Sequence, residues 1–307
     1  MVLISMMKSD HGRMDLQQLR YVVEVASQSS FTRAAERCFV TQSALSHQIA
    51  ALERELGQRL FVRSSRSVRT TDAGEAFLIH ARAAVLAVDE AREAAAAAVG
   101  RVVGTLRLGV IPTARAVSVP EVISRFRAAH PDARVELTVG NSDTLADAVR
   151  RGALDVALLG LREGASPRGV AARELGRERL AVAVPPTHRL AARRGGVRLA
   201  DLDGEVFADF PAGTSGRAQG DAAFAASGIA RDVAFEADSS ELILGLVSVG
   251  LAVALLSPIV IAESSTDAVA VDLGDGPLRI QYVAWDDRAP RAVAVAFLRV
   301  VEEMTPR

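Results

Sequence analysis

The chain has 307 residues, 50% hydrophobic and 24% charged, and its 36 basic and 37 acidic side chains leave a net charge of −1. On a prior of about 150 residues per domain that is two or three globular domains, and the balance excludes a disordered chain and a uniformly basic nucleic-acid binder. The single cysteine, Cys38, excludes an internal disulfide and a cysteine metal cluster and suits a reducing cytoplasm.

The opening MVLISMM is apolar but too short for a signal-peptide core. Residues 15–26, DLQQLRYVVEVA, then place Leu16, Leu19, Val22, Val23 and Ala26 at helical spacing. A second, short helix is expected after Ser30-Phe31, with Thr32 as its N-cap before RAAER. CFVT interrupts the pattern, and Thr41 is the expected N-cap of a third helix reaching Leu56. Leu45, Ile49, Leu52 and Leu56 share one face of it. Gln42, Ser43, Ser46, His47 and Ala50 share the other, with no acidic residue before Glu53. A face washed only by solvent would carry more Glu, Lys and Arg. Short groups that donate and accept hydrogen bonds are what base edges in a DNA major groove require. A short helix, a turn and a second helix form the helix-turn-helix arrangement.

Residues 57–75, GQRLFVRSSRSVRTTDAGE, repeat arginine at Arg59, Arg63, Arg66 and Arg69 with no acid before Asp72. Leu60, Phe61 and Val62 can anchor one strand and Val68 another, with SSR as the turn. Alone, such a run reads as a solvated basic loop. Beside a polar-faced helix it reads as a β-wing that contacts phosphates. A long helix follows, in which Phe77, Ala81, Ala84, Val88, Ala91, Ala95 and Ala98 step alternately by four and three. That is a heptad seam, and residues 73–100 are expected to form a dimerising linker helix. Gly100 and Gly104 mark a hinge after it.

From Thr105 the texture becomes strands (TLRLGVI, ARVELTVG, LDVALLG) alternating with helices (VPEVISRFRAAH, SDTLADAVRR). This predicts a parallel, doubly wound sheet. A second set follows: RLAVAVP, GEVFADF, DVAFEAD, a helix over 240–249 and the strand LAVALL. The strands AVAVDL and LRIQYVAW and a helix from about Pro290 end the chain. The fold class is therefore α/β: residues 104–307 are expected to make two lobes, about 104–174 plus 278–307 and about 175–277. Ligands bind in the crevice at the carboxyl ends of such strands. Leu242–Ala262 carries no charge and approaches the length of a membrane span. Gly245, Gly250 and Ser257-Pro258 punctuate it, so a buried helix–Gly–strand unit is the better reading, and no membrane contact is expected.

Two other classes compete. An enzyme finds little support. GTSG at 213–216 is not a nucleophile elbow, His80 falls in the linker helix, His188 follows Pro185-Pro186, and no histidine pair has metal-ligand spacing. No catalytic residue, metal or cofactor is assigned. A solute-binding or transport-type protein would explain two lobes but not residues 15–98.

The combination of LQQLRYVVEVA, SSFTRAAERC, TQSALSHQIAALERELGQRLFVR and TTDAGE resembles the LysR-type transcriptional regulators, and LRLGVIPTA, His130-Pro131, GALDVALLG and GLAVALLSP carry the likeness onward. The resemblance implies a winged helix-turn-helix over 15–72 and a regulatory part like a periplasmic solute-binding protein. It also implies a cytoplasmic homotetramer, built as a dimer of dimers, that binds double-stranded promoter DNA and answers a small-molecule effector. RNA polymerase is a further implied partner. Thr32, Arg33, Gln42, Ser43, Ser46, His47, Arg63, Arg66 and Arg69 are the implied DNA-binding residues. Thr113, Ser142, Phe210 and Thr214 are the implied effector contacts. Thr113 and Ser142 are each expected to begin a helix after a strand, where free N–H groups favour a carboxylate. The family usually has Pro at Ser43, Arg at His47 and Pro at Ser67.

Overall fold

The computed structural model describes residues 14–63, 68–193, 195–288 and 290–305, and the chain divides into two units, Met1–Arg92 and Glu93–Arg307. In the first unit Asp15 opens helix α1 (Leu16–Gln28) with a capping box, its carboxylate accepting from the Gln18 N–H at 2.8 Å. Helix α2 (Phe31–Arg37) is capped by Ser30, whose hydroxyl accepts from the Arg33 N–H, and not by Thr32 as the sequence suggested. The earlier start puts Phe31 inside the helix and into the core, where its ring meets Phe61 edge-on at 5.8 Å. Helix α3 (Gln42–Leu56) begins at the expected Thr41 cap. Its Leu45, Ile49 and Leu52 are fully buried against Val22, Val25, Ala34 and Ala35, and Leu56 lies at the rim. Burial of that kind contributes about 1.5–3 kcal/mol per large aliphatic side chain.

Strands β1 (Phe61–Arg63) and β2 (Val68–Thr70) pair antiparallel, Val62 opposite Arg69. The Glu53 carboxylate accepts from the N–H groups of Leu60 (2.7 Å) and Phe61 (3.2 Å), which ties the end of α3 to the start of this ribbon. Helix α4 (Asp72–Ala97) follows as one unbroken helix. Arg20 of α1 pairs with its Asp89 at 2.6 Å.

The second unit contains β3 (Gly104–Val110), α5 (Val119–Ala129), β4 (Ala133–Val139), α6 (Ser142–Arg150), β5 (Val156–Arg162) and β6 (Ala171–Arg179). The chain then crosses into β7 (Ala181–Val184), a short 3-10 turn, β8 (Val206–Asp209), α7 (Ser215–Ser227), β9 (Asp232–Glu236), α8 (Ser240–Ser248), β10 (Ala254–Leu256), α9 (Pro258–Ala262) and β11 (Val269–Val271). It returns through β12 (Leu278–Trp285) and ends in α10 (Ala292–Met304).

The first lobe is a five-stranded sheet of order β4-β3-β5-β12-β6. Its β4-β3-β5 part is parallel as expected, but β12 runs antiparallel to both β5 and β6, so the sheet is mixed. The return strand enters from the second lobe, which fixes its direction. Strand β6 takes the first lobe to Arg179, past the expected turnover near 174. The second lobe centres on β7 between β10 and β11, with the parallel pair β8-β9 joined through Phe207 and Val253. Each lobe has its own apolar core. Leu242–Ala262 folds as α8, a left-handed Gly250 at φ 79°, β10 and α9. No helix among the described residues is long and apolar enough to cross a membrane. Arg291, Glu93, Asp155 and Arg107 form a buried charge cluster that holds the end of α4 against the edge of β3.

Candidate functional site

On the first unit, α3 turns Gln42, Ser43 and His47 to solvent, with Ser46 half-buried beside them. The Thr41 hydroxyl caps the Ala44 N–H and lies 3.2 Å from the Ser43 hydroxyl. Gln18 of α1 donates to Gln48 at 3.2 Å and steadies the helix from behind. Thr32 and Arg33 are exposed at the start of α2, where Arg33 donates to the Gln28 carbonyl. Arg69 is exposed on β2. Arg66 and the side chain of Arg63 lie outside the described residues. The turn between α2 and α3 holds Phe39 in the left-handed region, φ 56°, and the residue is 94% exposed. Cys38, in the same turn, packs on the core, and burial pushes its thiol up, which suits an inert side chain.

On the second unit, the two lobes enclose a cavity of about 310 Å³. It sits at the carboxyl ends of β3 and β4, from which the chain leads into α5 and α6, and beside Gly160 of β5. Thr113, Ser142, Phe210 and Thr214 all line it, so the structure brings the four expected residues together. Their hydroxyls differ in what they can still do. Beyond the last β3–β5 bond, from Ile111 N–H to the Leu158 carbonyl, Gly160 has lost its sheet neighbour on that side. The buried Ser142 hydroxyl replaces it, donating to the Gly160 carbonyl and accepting from its N–H, both at 3.0 Å. Thr214 caps α7, donating to the Pro211 carbonyl at 2.8 Å and accepting from the Arg217 N–H.

Thr113 does not begin a helix, contrary to expectation. It sits in the turn after β3, and α5 starts only at Val119. Its hydroxyl makes no hydrogen bond with any described residue, although the residue is only 4% exposed. Ser142 does open α6, whose Asn141 cap accepts from the Thr144 N–H at 2.9 Å. Phe210 is held by the Asp209 carboxylate, which accepts from its N–H at 2.7 Å. Asp209 is paired with the buried Arg231, yet burial still raises its carboxyl above the ordinary range.

Comparison with known proteins decides the family. Residues 16–75 match the family described as bacterial regulatory helix-turn-helix protein, lysR family, and residues 100–306 match the LysR substrate binding domain. The chain belongs to the LysR family.

Its relatives include the transcriptional dual regulator GltC of Bacillus subtilis, 35% identical over 82% of this chain and 83% of that protein. They also include the activator HcaR of Escherichia coli, 38% identical over 63% and 64%. Among solved structures, a full-length single-site variant of OxyR from Pseudomonas aeruginosa superposes with a TM-score of 0.71 at 25% identity, covering 96% of this chain and 98% of that one. CbnR in complex with its target DNA gives 0.68 at 26% identity, covering 95% and 100%. This protein is thus a LysR-family transcriptional regulator with a helix-turn-helix unit and an effector-binding unit, and not a transport protein with an unrelated helical domain.

Among the cavity residues that sequence reasoning missed, two are polar and deeply buried in this regulator, Arg279 and Gln219. Arg279 comes from β12 and is 5% exposed. The signal for it was present: Arg279 and Gln281 are polar at alternate positions of a strand otherwise apolar enough to be central. Gln281 is spent on the backbone N–H groups of Arg115 and Ala116 and on Glu178. Gln219 comes from α7, a helix whose apolar pattern after FPAGTSG is faint. Polar ties join the lobes away from the cavity lining. Asp143 accepts from the Ser215 N–H (3.0 Å) and hydroxyl (2.7 Å), and Arg115 pairs with Glu263 at 2.7 Å.

Proposed function

We propose that this regulator reads double-stranded promoter DNA with the α3 face of Gln42, Ser43, Ser46 and His47. In this reading Thr32, Arg33, Arg63, Arg66 and Arg69 hold the phosphates, and a small carboxylate bound between the lobes sets its activity. The observation that carries the first part is the pairing of a fully buried Leu45-Ile49-Leu52 stripe with an exposed polar face on the same helix. Base edges are read by such groups, whereas arginines on a flanking ribbon position the protein without reading sequence. The complex of CbnR with its target DNA, a protein this chain covers end to end, supports it. The carboxylate rests on the open Thr113 hydroxyl and the N-terminus of α6, which face one cavity. The small residues Ala84, Ala91 and Ala95 of α4, with Ala98 just past its end, are the proposed contact between copies, in a dimer of dimers. RNA polymerase is the partner through which such a regulator acts, and the cytoplasm is where its DNA lies. No catalytic step is assigned to it.

Fluorescence anisotropy with the duplex upstream of its own gene tests the reading. Wild type is expected to bind that duplex far more tightly than a scrambled one, and Gln42→Ala/His47→Ala to bind both alike. Equal binding of both duplexes by the wild type would refute it.

A further inference from the structure

Two residues of the cavity lining each hold a polar atom that no group among the described residues satisfies. Arg279 donates from one terminal nitrogen, Nη2, to the Thr113 carbonyl at 2.8 Å, but its Nε is sealed from solvent and has no hydrogen-bond partner among the described residues. The nearest anion, Glu178, keeps its Oε1 3.7 Å from that Nε, beyond hydrogen-bond range. Glu178 is itself taken up by the Ser257 hydroxyl (2.5 Å) and the Gln281 amide (2.9 Å). The guanidinium lies across Gly160, where a Cβ would stand 2.7 Å from Nε, so a bare backbone at 160 is what admits it. From the other lobe Gln219, 3% exposed, presents an Oε1 that is equally sealed and unpaired. Five side-chain atoms among the described residues are buried without a partner, and these two belong to residues lining the same cavity.

A buried cation whose one counter-ion stands beyond hydrogen-bond distance and an unpaired buried acceptor are each costly. Arg279 is the clearer case, because burial pulls its basicity below the ordinary arginine value although Glu178 opposes the shift. Hydrophobic residues of similar size would fill both positions at no such cost. A ligand anion set against the guanidinium would offset the first cost, and a ligand donor would offset the second once the Gln219 amide turns its oxygen into the cavity.

We propose that Arg279 is the anion partner of the effector and Gln219 the acceptor for its far end. The ligand class is then a small acid with a carboxylate at one end and an O–H or N–H donor at the other, spanning the first lobe to the second. The proposal rests on the cleft reading above and deepens it. Thr113 is drawn into the same site, since its carbonyl anchors the guanidinium while its hydroxyl remains open to the ligand. Ser142 and Thr214, whose hydroxyls are already spent, shape the cavity rather than choose the ligand.

The test uses the full chain and a named panel: benzoate, para-hydroxybenzoate and succinate, each beside its amide, at matched ionic strength. Thermal shift finds the acids that protect, and calorimetry measures them on wild type, Arg279→Gln, Arg279→Lys and Gln219→Leu. Acids are expected to protect wild type more than their amides do. Arg279→Gln should weaken them about 10- to 100-fold, as loss of a charge-assisted hydrogen bond does, and Arg279→Lys should weaken them less. Para-hydroxybenzoate should bind more tightly than benzoate to wild type but no more tightly to Gln219→Leu. Arg279→Lys keeps the test valid if Arg279→Gln fails to fold. A panel in which no acid separates wild type from the Arg279 variants overturns the role of Arg279. Amides that protect as well as acids overturn the carboxylate reading itself. Acids that still protect Thr214→Trp, which fills the cavity, place the site outside the cleft and overturn both.

Discussion

Replacing Ser142 with alanine separates a structural hydroxyl from a ligand-binding one. Ser142 alone serves Gly160 on the side where β3 has ended, through two hydrogen bonds of 3.0 Å. Alanine leaves a buried N–H and a buried carbonyl without partners. Each such group costs about 1–3 kcal/mol, and water entering from the cavity offsets part of that, so local opening of β5 should become easier by about 2–4 kcal/mol. At 1.4 kcal/mol per tenfold, amide exchange over residues 156–162 should quicken by about 30- to 700-fold. Hydrogen exchange read by mass spectrometry on peptides from this strand measures it. Thr113→Val is the internal control: it alters the same cavity wall, but its hydroxyl holds no protein group, so exchange in β5 should stay at the wild-type rate. Unchanged protection in Ser142→Ala, or equal loss in both variants, would refute the division of roles.

Four further outcomes follow from the same geometry. Thr113→Val should weaken a carboxylate that the wild type binds by about 1–3 kcal/mol, measured by calorimetry, and equal affinity would remove Thr113 from the site. His47→Arg should steepen the salt dependence of DNA binding by about one unit of slope, and Arg69→Ala should flatten it by about as much, both read by anisotropy across a salt series. Val88→Asp places like charges on the α4 seam and should halve the mass seen by light scattering; an unchanged mass would take the seam out of the assembly. Phe39→Asn should raise the urea midpoint without changing the slope, because a left-handed β-carbon costs about 1–2 kcal/mol and asparagine tolerates that region better. Nothing in the described structure covers the Phe39 ring, so its removal should lose no packing.

The first unit was legible in the sequence because its information is local. Thr41 caps, Leu45, Ile49 and Leu52 repeat at helical spacing, and the polar face is whatever that stripe leaves over. The misplaced cap at Thr32 shows the limit of such reading: Ser30 and Thr32 are both good caps, and the burial of Phe31 decides between them. In the second unit strands were legible where apolar residues run together, as in β5 and β7, or alternate with polar ones, as in β4 and β9. Strand β6, AARELGRER, buries only Leu175 and lies at a sheet edge, where charged side chains are expected and the period is faint. Helix α7 carries Gly216 and Gly220 and few large apolar residues, so its pattern is weak too. Thr113 and Ser142 were placed by family resemblance, yet which hydroxyl remains open depends on Gly160, a strand away. Arg279 depends on Gly160 as well, across paired strands distant in sequence. A single position read alone does not contain that pairing.

The most direct test of the central claim is selection from a pool of random duplexes, because it needs neither the effector nor a known operator. Wild type is expected to enrich one sequence with two inverted half-sites about one helical turn, or a multiple of it, apart. Changing Gln42 and His47 should change the bases recovered, whereas Arg69→Ala should recover the same bases at lower yield. Enrichment of no common sequence, or of the same sequence after α3 is altered, would contradict the claim that this helix reads DNA.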